Sequence, residues 1–214
     1  ERTGIRQRRI AAADQAASDL GIAAAREALS SAGVAPQEID LIIVATATPD
    51  MQFPATACLI AEKLGLDATP AFDVAAGCTG FIYALTIGSQ FIVNGFYRTV
   101  LVIGTEVLSK VTNWTDRETC ILLADGAGAV VLRPVAAGQG ILAMKLGADG
   151  AGGKELSLPA GGSRLPLTAE GLAANLNKLH MNGSGVCKFA MKMLTEVTGQ
   201  ALALAGLTVE DVAL

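Results

Sequence analysis

One cysteine of the sequence lies in a setting that would make a thiol reactive. Cys78 is preceded by Asp73-Val74-Ala75-Ala76-Gly77 and followed by Thr79-Gly80-Phe81, a pattern that predicts a strand, a small-residue turn and the first turn of a buried helix. Free backbone N–H groups and the positive end of a helix dipole favour the thiolate there. These features suit an activated nucleophile. Position alone also allows a buried structural cysteine, which is the commoner role of a free thiol.

The remaining cysteines and the single histidine offer weaker candidates. Cys58, Cys120 and Cys187 are widely spaced without a CxxC pair, and with one histidine they form no zinc pattern. We predict that these three cysteines are small core residues. His180 stands in Leu179-His180-Met181-Asn182 and is interpreted as a solvated or loop-packing residue.

Two glycine-rich segments do not match nucleotide-binding motifs. In the segment 147–154 the first glycine is misplaced for a P-loop, and Glu155 follows the lysine where Ser or Thr is needed. The segment 125–131 lacks the third glycine of a dinucleotide-binding turn and precedes a predicted strand rather than a helix. The sequence therefore gives no indication of a bound nucleotide cofactor.

The elements that would position Cys78 alternate between helix and strand. Apolar runs and glycine stop signals predict helices at about 16–32 and 55–64, and strands at about 41–46, 71–74, 99–104, 120–123 and 127–132, the last two joined through Asp125-Gly126. Continuous apolar strands are typical of sheets that are covered on both faces. The alternation predicts an α/β layered fold.

The charge-free stretch Val74–Tyr97 is long enough to span a bilayer. It contains four glycines and several polar residues, however, and its first residues are typical of the end of a strand. A helix buried inside a soluble protein is therefore the better interpretation of this stretch.

An internal repeat is suggested by residues 28–41 and 201–214, which match at most positions, including Gly33 and Gly206 after a helix. Chance similarity between two amphipathic helices with the same cap chemistry is the alternative. A true repeat predicts a duplicated α/β unit whose second copy stops at Leu214. Because the sequence also opens at Glu1 without a methionine, we expect both ends to be cut.

The composition excludes several classes of protein. The 214 residues are 51% hydrophobic and 17% charged, which excludes a disordered chain, and the formal net charge is −4. No cluster of Lys and Arg indicates nucleic-acid binding. The sequence has no secretory h-region, so we expect a reducing, cytoplasmic compartment.

The nucleophile segment resembles that of β-ketoacyl-acyl-carrier-protein synthase III, a thiolase-fold condensing enzyme, and the resemblance extends over essentially the whole chain. It identifies Cys78 as the catalytic nucleophile. It also implies three kinds of accessory residue: coenzyme A contacts, a residue that reaches the partner subunit's acyl pocket, and a carrier-protein docking residue. The implied coenzyme A contacts are Arg2, Thr3 and Arg117. The residue implied to reach the acyl pocket is Phe53, and the implied docking residue is Lys188. Asp125-Gly126-Ala127-Gly128-Ala129 is similar to the family's glycine-rich strand connection.

The resemblance also implies a fold and a domain organisation. The expected fold is α/β, a thiolase-like duplicated αβαβα layered fold whose second half is incomplete in this chain. Residues 1–135 would form the first half, which carries the nucleophile and lacks its N-terminal strand. Residues 136–214 would form a connecting region and the start of the second half.

The implied reaction is a decarboxylative Claisen condensation of an acyl-CoA, such as acetyl-CoA, with malonyl-acyl-carrier-protein, which initiates fatty acid synthesis. The resemblance implies a homodimer. It implies no metal, redox cofactor, nucleic acid or membrane partner. The family's catalytic His and Asn would lie beyond Leu214, so we expect residues 1–214 alone not to complete the condensation. The alternatives are a sister enzyme for a quinolone or polyketide starter, and a truncated, non-catalytic dimerisation partner.

Overall fold

A computed structural model describes residues Thr3–Ala213, which fall into two compact units. One unit comprises residues 7–108 and 124–141 and contains Cys78. We call it the nucleophile unit. The other unit, called the second unit, comprises residues 3–6, 109–123 and 142–213.

The nucleophile unit is built around a four-stranded sheet. In chain order its elements are α1 (Ala17–Ala32), β1 (Leu41–Ala45), α2 (Thr56–Lys63), β2 (Ala71–Val74), α3 (Gly80–Val93), β3 (Val100–Val107) and β4 (Asp125–Leu132). The strand order is β2-β1-β3-β4, in which β1, β2 and β3 are parallel and β4 is antiparallel to β3. These bounds confirm the predicted helices and most of the predicted strands.

Side chains of the two central strands alternate between two apolar cores. In β1, Ile42 and Val44 pack in the core formed with α1 and α2, whereas Leu41 and Ile43 pack in the core formed with α3. All five residues of β1 are buried. The continuous apolar run at 41–45 thus reflects coverage on both faces, as expected for parallel strands between layers of helices.

The second unit contains short elements and one long helix. A two-stranded antiparallel ladder pairs β5 (Leu156–Ser157) with β6 (His180–Met181), and the helices are α4 (Ala169–Ala173) and α5 (Gly183–Ala205). The Asn182 side chain accepts a hydrogen bond from Gly185 N at 3.3 Å and so caps α5. This N-cap explains how a helix begins in so glycine-rich a segment.

The two segments of the suggested repeat have the same local structure. Helix α1 ends at Gly33 and α5 ends at Gly206, both with left-handed backbone angles, at φ 61° and φ 70°. A short 3-10 helix follows each glycine, at Pro36–Glu38 and at Val209–Asp211. Glycine adopts this conformation without the steric cost of a Cβ, which explains why it ends both helices.

The strand predicted at 120–123 is wrong, because these residues form turns. Cys120 N donates to Asp116 O at 2.9 Å and Leu122 N donates to Thr119 O at 3.0 Å, so the backbone bonds are local. The Asp116 carboxylate organises the turn by accepting bonds from Glu118 N and the Thr119 hydroxyl. Asp125-Gly126 is consequently no connection between strands; these two residues begin β4.

The charge-free stretch around α3 does not yield a membrane span. Helix α3 has 14 residues, and within Thr3–Ala213 no helix is long and apolar enough to cross a bilayer. The division of the chain into thiolase-like halves at residue 135 stays a prediction, because the two compact units do not address it.

Candidate active site

Cys78 lies in a short connection between β2 and α3. Residues Gly77–Thr79 form one turn of 3-10 helix and α3 begins at Gly80, which confirms the predicted strand, turn and helix around Cys78. Gly77 has φ +54°, a conformation that an L side chain rarely adopts. The Cys78 side chain is exposed. A reversal of the chain at Gly77 therefore presents the thiol to solvent ahead of the helix.

The carboxyl ends of three parallel strands meet where Cys78 lies. Strands β1, β2 and β3 run in the same direction, and Ala45 pairs with Val74 on one side and with Gly104 on the other. Connections at the carboxyl ends of such strands form the usual binding crevice of open α/β sheets. This end of the sheet is the region in which a ligand of Cys78 would bind.

Glycines let the start of α3 approach the sheet closely. A Cβ added at Gly80 would lie 3.3 Å from the Cβ of Ala45, and one added at Gly104 would lie 3.1 Å from Cδ2 of Phe81. The Phe81 ring therefore packs over the bare backbone of Gly104. These contacts set the depth of the first helical turn, and with it the height of Cys78 above the strands.

The second exposed feature at this end is the ten-residue connection 46–55 between β1 and α2, which we call the Phe53 loop. Its Phe53 side chain is 88% exposed. The loop is fixed near its start by Glu106 of β3, which accepts hydrogen bonds from Ala47 N at 2.7 Å and from the Thr48 hydroxyl. The Thr48 hydroxyl oxygen in turn accepts a bond from Val107 N at 2.8 Å.

Two more carboxylates fix the middle and the end of the Phe53 loop. Asp50 accepts bonds from Ser18 N at 2.9 Å and from the Ser18 hydroxyl at 2.7 Å. Asp73 of β2 accepts bonds from Thr56 N and Ala57 N, both at 2.8 Å. A loop held at three points is pre-organised, so the exposed phenyl ring is presented by a constrained backbone.

Three of the residues predicted to contact coenzyme A or the carrier protein, Thr3, Arg117 and Lys188, fall in the second unit. Thr3 is exposed and its hydroxyl accepts a bond from Ile5 N at 3.3 Å, while Arg117 and Lys188 have exposed side chains. Arg2 lies outside the described residues. Cys78 and Phe53 belong to the nucleophile unit. The roles assigned to all of these residues stay predictions.

The prediction that the other three cysteines are core residues is wrong. Cys58 and Cys187 are exposed and Cys120 is half-buried. The inward face of α2 is formed by Thr56, Ala57, Ile60 and Ala61, so Cys58 falls outside it. Cys187 lies on α5, which buries none of its residues. The small size and apolar character of these cysteines were not enough to predict whether they are buried.

His180 is the exposed first residue of β6 in the second unit. Its Nε2 lies 3.1 Å from the carbonyl oxygen of Asn175. The pKa of nearby Asp116 is lowered chiefly by the Thr119 hydroxyl, next by the Glu118 N–H, and to a smaller extent by the charge of His180. Over residues 3–213, no group of three or more His, Cys, Asp or Glu side chains is arranged to hold a metal ion.

The carboxylates of Asp73 and Glu106 are the residues that sequence reasoning missed. Each is the acidic residue of a mainly apolar strand and lies close to its carboxyl end. An acidic residue at such a place must find hydrogen-bond donors, since a half-buried carboxylate without them is costly. The acidic residue in such a strand was the available signal, although it does not identify the donors.

Comparisons with known proteins agree with this geometry. Residues 72–150, which include Cys78 and β4, match the family model described as 3-Oxoacyl-[acyl-carrier-protein (ACP)] synthase III. The β-ketoacyl-[acyl-carrier-protein] synthase III of Caldanaerobacter subterraneus subsp. tengcongensis is 53% identical over 211 residues, which cover 99% of this chain and 64% of that protein. The chain thus spans less than two thirds of this relative's length.

Solved structures agree as well. The β-ketoacyl-[acyl-carrier-protein] synthase III of Thermus thermophilus has a TM-score of 0.86 at 41% identity, over 98% of this chain and 64% of that one. The priming β-ketosynthase of the R1128 polyketide biosynthetic pathway has a TM-score of 0.85 at 36% identity, over 99% of this chain and 62% of that one.

These matches confirm the predicted α/β, thiolase-like fold class. Residues 72–150 match the 3-oxoacyl-[acyl-carrier-protein] synthase III family model, and the chain is similar to a synthase III over 99% of its length.

Proposed function

We propose that the protein containing this chain is an acyltransferase that condenses an acyl-CoA, such as acetyl-CoA, with malonyl-acyl-carrier-protein, the initiating step of fatty acid synthesis. The observation that carries the proposal is the exposed thiol of Cys78 on a tight turn at the carboxyl ends of three parallel strands. The similarity to synthase III proteins over 99% of the chain supports the same chemistry.

In the first half-reaction, the Cys78 thiolate attacks the thioester carbonyl carbon of the acyl-CoA. A new carbon–sulfur bond forms at Cys78 while the bond to the coenzyme A sulfur breaks, and the departing coenzyme A thiolate takes up a proton. The backbone N–H of Cys78 is proposed to donate to the oxyanion of the tetrahedral intermediate. This step requires only an accessible thiol, a general base and an oxyanion hole.

In the second half-reaction, the malonyl thioester loses carbon dioxide, and the resulting enolate carbon attacks the acyl carbonyl. The Cys78 thiolate then leaves as the product β-ketoacyl-carrier is released. Donors aimed at the enolate oxygen would stabilise that charge, and the family resemblance implies a His and an Asn in this role. Both half-reactions balance in atoms and electrons without a metal or a redox cofactor.

The test is to incubate the protein with labelled acetyl-CoA and to map the labelled peptide. We expect the label on Cys78. The other exposed cysteines, Cys58 and Cys187, serve as internal controls for non-specific acylation. Label on either of them with Cys78 unmodified would contradict the assignment.

A second candidate is a priming condensing enzyme for another pathway, because a polyketide priming β-ketosynthase has nearly the same fold over 99% of the chain. The two functions differ in the acyl group that they accept. Competition between acetyl-CoA and longer or branched acyl-CoA substrates, read as the mass of the acyl group on Cys78, distinguishes them.

We further propose that the active protein is a cytoplasmic homodimer in which Phe53 reaches the partner subunit's acyl pocket. The support is the 88% exposure of an apolar ring on a loop that carboxylates hold at three points. Replacing Phe53 with alanine should change the preferred acyl length. Retention of wild-type selectivity in a dimeric F53A variant would contradict this role.

A further inference from the structure

Asp73 belongs to the strand that leads into the Cys78 turn, and its side chain bonds to the start of α2. It is the third residue of β2 and lies five residues before Cys78. Its Oδ2 accepts a hydrogen bond from Thr56 N and its Oδ1 accepts one from Ala57 N, both at 2.8 Å. These are the first two N–H groups of α2, which have no acceptor within their own helix.

The bonds to Asp73 connect the two exposed features at this end of the sheet. Along the main chain, β2 continues into the turn that carries Cys78. On the side-chain side, Thr56 follows the last residue of the Phe53 loop. The first residue of that loop is also tied to β2, because Thr46 N donates to Val74 O at 3.3 Å. Both ends of the Phe53 loop therefore depend on the position of β2.

We propose that Asp73 is a positioning residue for acyl transfer, which holds the Cys78 turn and the Phe53 loop in one fixed geometry. This inference rests on the proposed function. A carboxylate suits the role because both of its oxygens accept, whereas the NH₂ group of an amide would face one of the two donors. Asp73 also adds negative charge at the positive end of the α2 dipole.

Loss of the carboxylate leaves two N–H groups of α2 without their acceptors. The Cys78 turn and the Phe53 loop then lose their shared anchor and shift independently. Because displacement of reacting groups by about 1 Å costs about 10²-fold in rate, the effect falls on acyl transfer. A small reagent that needs no positioned partner, such as iodoacetamide, is affected much less.

Asp40 provides a matched control at the opposite end of the sheet. Its Oδ2 also accepts two backbone bonds, from Arg98 N at 2.8 Å and from Thr99 N at 2.9 Å. It lies immediately before β1, whereas Cys78 follows β2. The Asp40→Ala variant therefore removes a comparable pair of bonds without touching either exposed feature.

The experiment uses the longest natural polypeptide that contains this chain, with the variants Asp73→Ala, Asp73→Asn and Asp40→Ala. For each, the maximal rate of Cys78 acylation at saturating acetyl-CoA is divided by the rate of Cys78 alkylation with iodoacetamide, both followed by mass spectrometry. We expect both Asp73 variants to lower this ratio about 10²-fold. Asp40→Ala should lower the melting temperature as Asp73→Ala does, with the wild-type ratio retained.

An Asp73→Asn ratio equal to that of wild type would overturn the positioning role. If Asp73→Ala does not fold, the isosteric Asp73→Asn variant decides. Failure of both to fold, with Asp40→Ala folded, would also overturn it by assigning Asp73 a purely structural role. A wild-type protein that is alkylated but never acylated at Cys78 would instead overturn the proposed function, and the positioning role with it.

Discussion

At the amino end of the sheet, the Asp40 carboxylate accepts two backbone bonds just ahead of β3, and at the carboxyl end the Asp73 carboxylate accepts two from the start of α2. Both carboxylates accept hydrogen bonds from backbone N–H groups, but they connect different parts of the fold. Asp40 joins the beginnings of two paired strands, which the ladder between β1 and β3 already holds together. Asp73 joins a strand to the first turn of a helix, directly after the Phe53 loop.

The difference indicates where side chains determine the geometry. Where strands pair, the backbone ladder fixes position, and a carboxylate adds only local stability. Where the chain leaves the sheet, as in the Phe53 loop and the Cys78 turn, Glu106, Asp50 and Asp73 replace the ladder. Substitutions at either end should therefore lower stability, whereas only those at the carboxyl end should also impair activity.

The largest effect should come from Cys78→Ala. Removal of the nucleophile is expected to lower acyl transfer by about 10³-fold or more, because loss of a catalytic nucleophile can cost as much as the whole covalent route. The rate of acetyl transfer from labelled acetyl-CoA measures it. The exposed Cys58 of α2 supplies the control, and Cys58→Ala should retain wild-type activity. A strong loss in Cys58→Ala would contradict the assignment of Cys78 as the only nucleophile.

The next effect should come from Gly104→Ala. The added methyl group would lie 3.1 Å from Phe81, whose ring covers this position, so we expect a destabilisation of about 1–3 kcal/mol from overpacking. A methyl group added at Gly128, its direct partner on β4, would meet nothing within 4 Å, so Gly128→Ala should be nearly neutral. Chemical denaturation of both variants checks the contrast, and equal losses would contradict it.

A smaller, local effect is expected from Glu106→Ala. Each lost hydrogen bond is worth about 1 kcal/mol, so the amide of Ala47 should exchange about fivefold faster with solvent deuterium. The amides of Arg98 and Thr99 should be unchanged. Asp40→Ala should give the reverse pattern, and hydrogen-exchange mass spectrometry reads both. Faster exchange at both ends in either variant would show that the two ends are coupled.

The smallest effect concerns the ion pair at the amino end. The Ala35 N–H and, second, the Arg133 guanidinium lower the pKa of Glu38. Because the folded pKa is depressed, the associated stability is present above the unfolded pKa of Glu38 and is lost as the pH falls through the folded value. Arg133→Gln should raise the pKa of Glu38 while the remaining Ala35 bond keeps it below its ordinary value. NMR titration measures this shift, and an unchanged pKa would contradict the assigned cause.

The sequence predicted the parts of the molecule that depend on periodicity. The apolar run at 41–45 and the glycine after α1 gave β1 and the end of α1 correctly, because burial on both faces and a left-handed glycine leave direct marks on residue type. The run Cys120–Leu123 looked the same but forms turns, since the local bonds to Asp116 were not visible in an apolar pattern.

The candidate site was predicted unevenly for the same reason. Cys78 lies in a motif of small residues that are adjacent in the sequence, so its place between β2 and α3 could be inferred from that motif. The partners of Asp73 and Glu106 lie 16 to 17 and 58 to 59 residues away along the chain, and only the folded sheet brings them together. Long-range hydrogen bonds of this kind leave no periodic signal.

The donors at Asp73 and Glu106 have a consequence for the response to ionic strength. They are backbone N–H groups and one threonine hydroxyl, and in the described part of the chain neither carboxylate forms an ion pair within 4.0 Å. Mobile ions screen attractions between opposite charges far more than they weaken short bonds to neutral donors. The Glu38–Arg133 pair should therefore loosen as salt is added, while the Cys78 turn and the Phe53 loop keep their geometry.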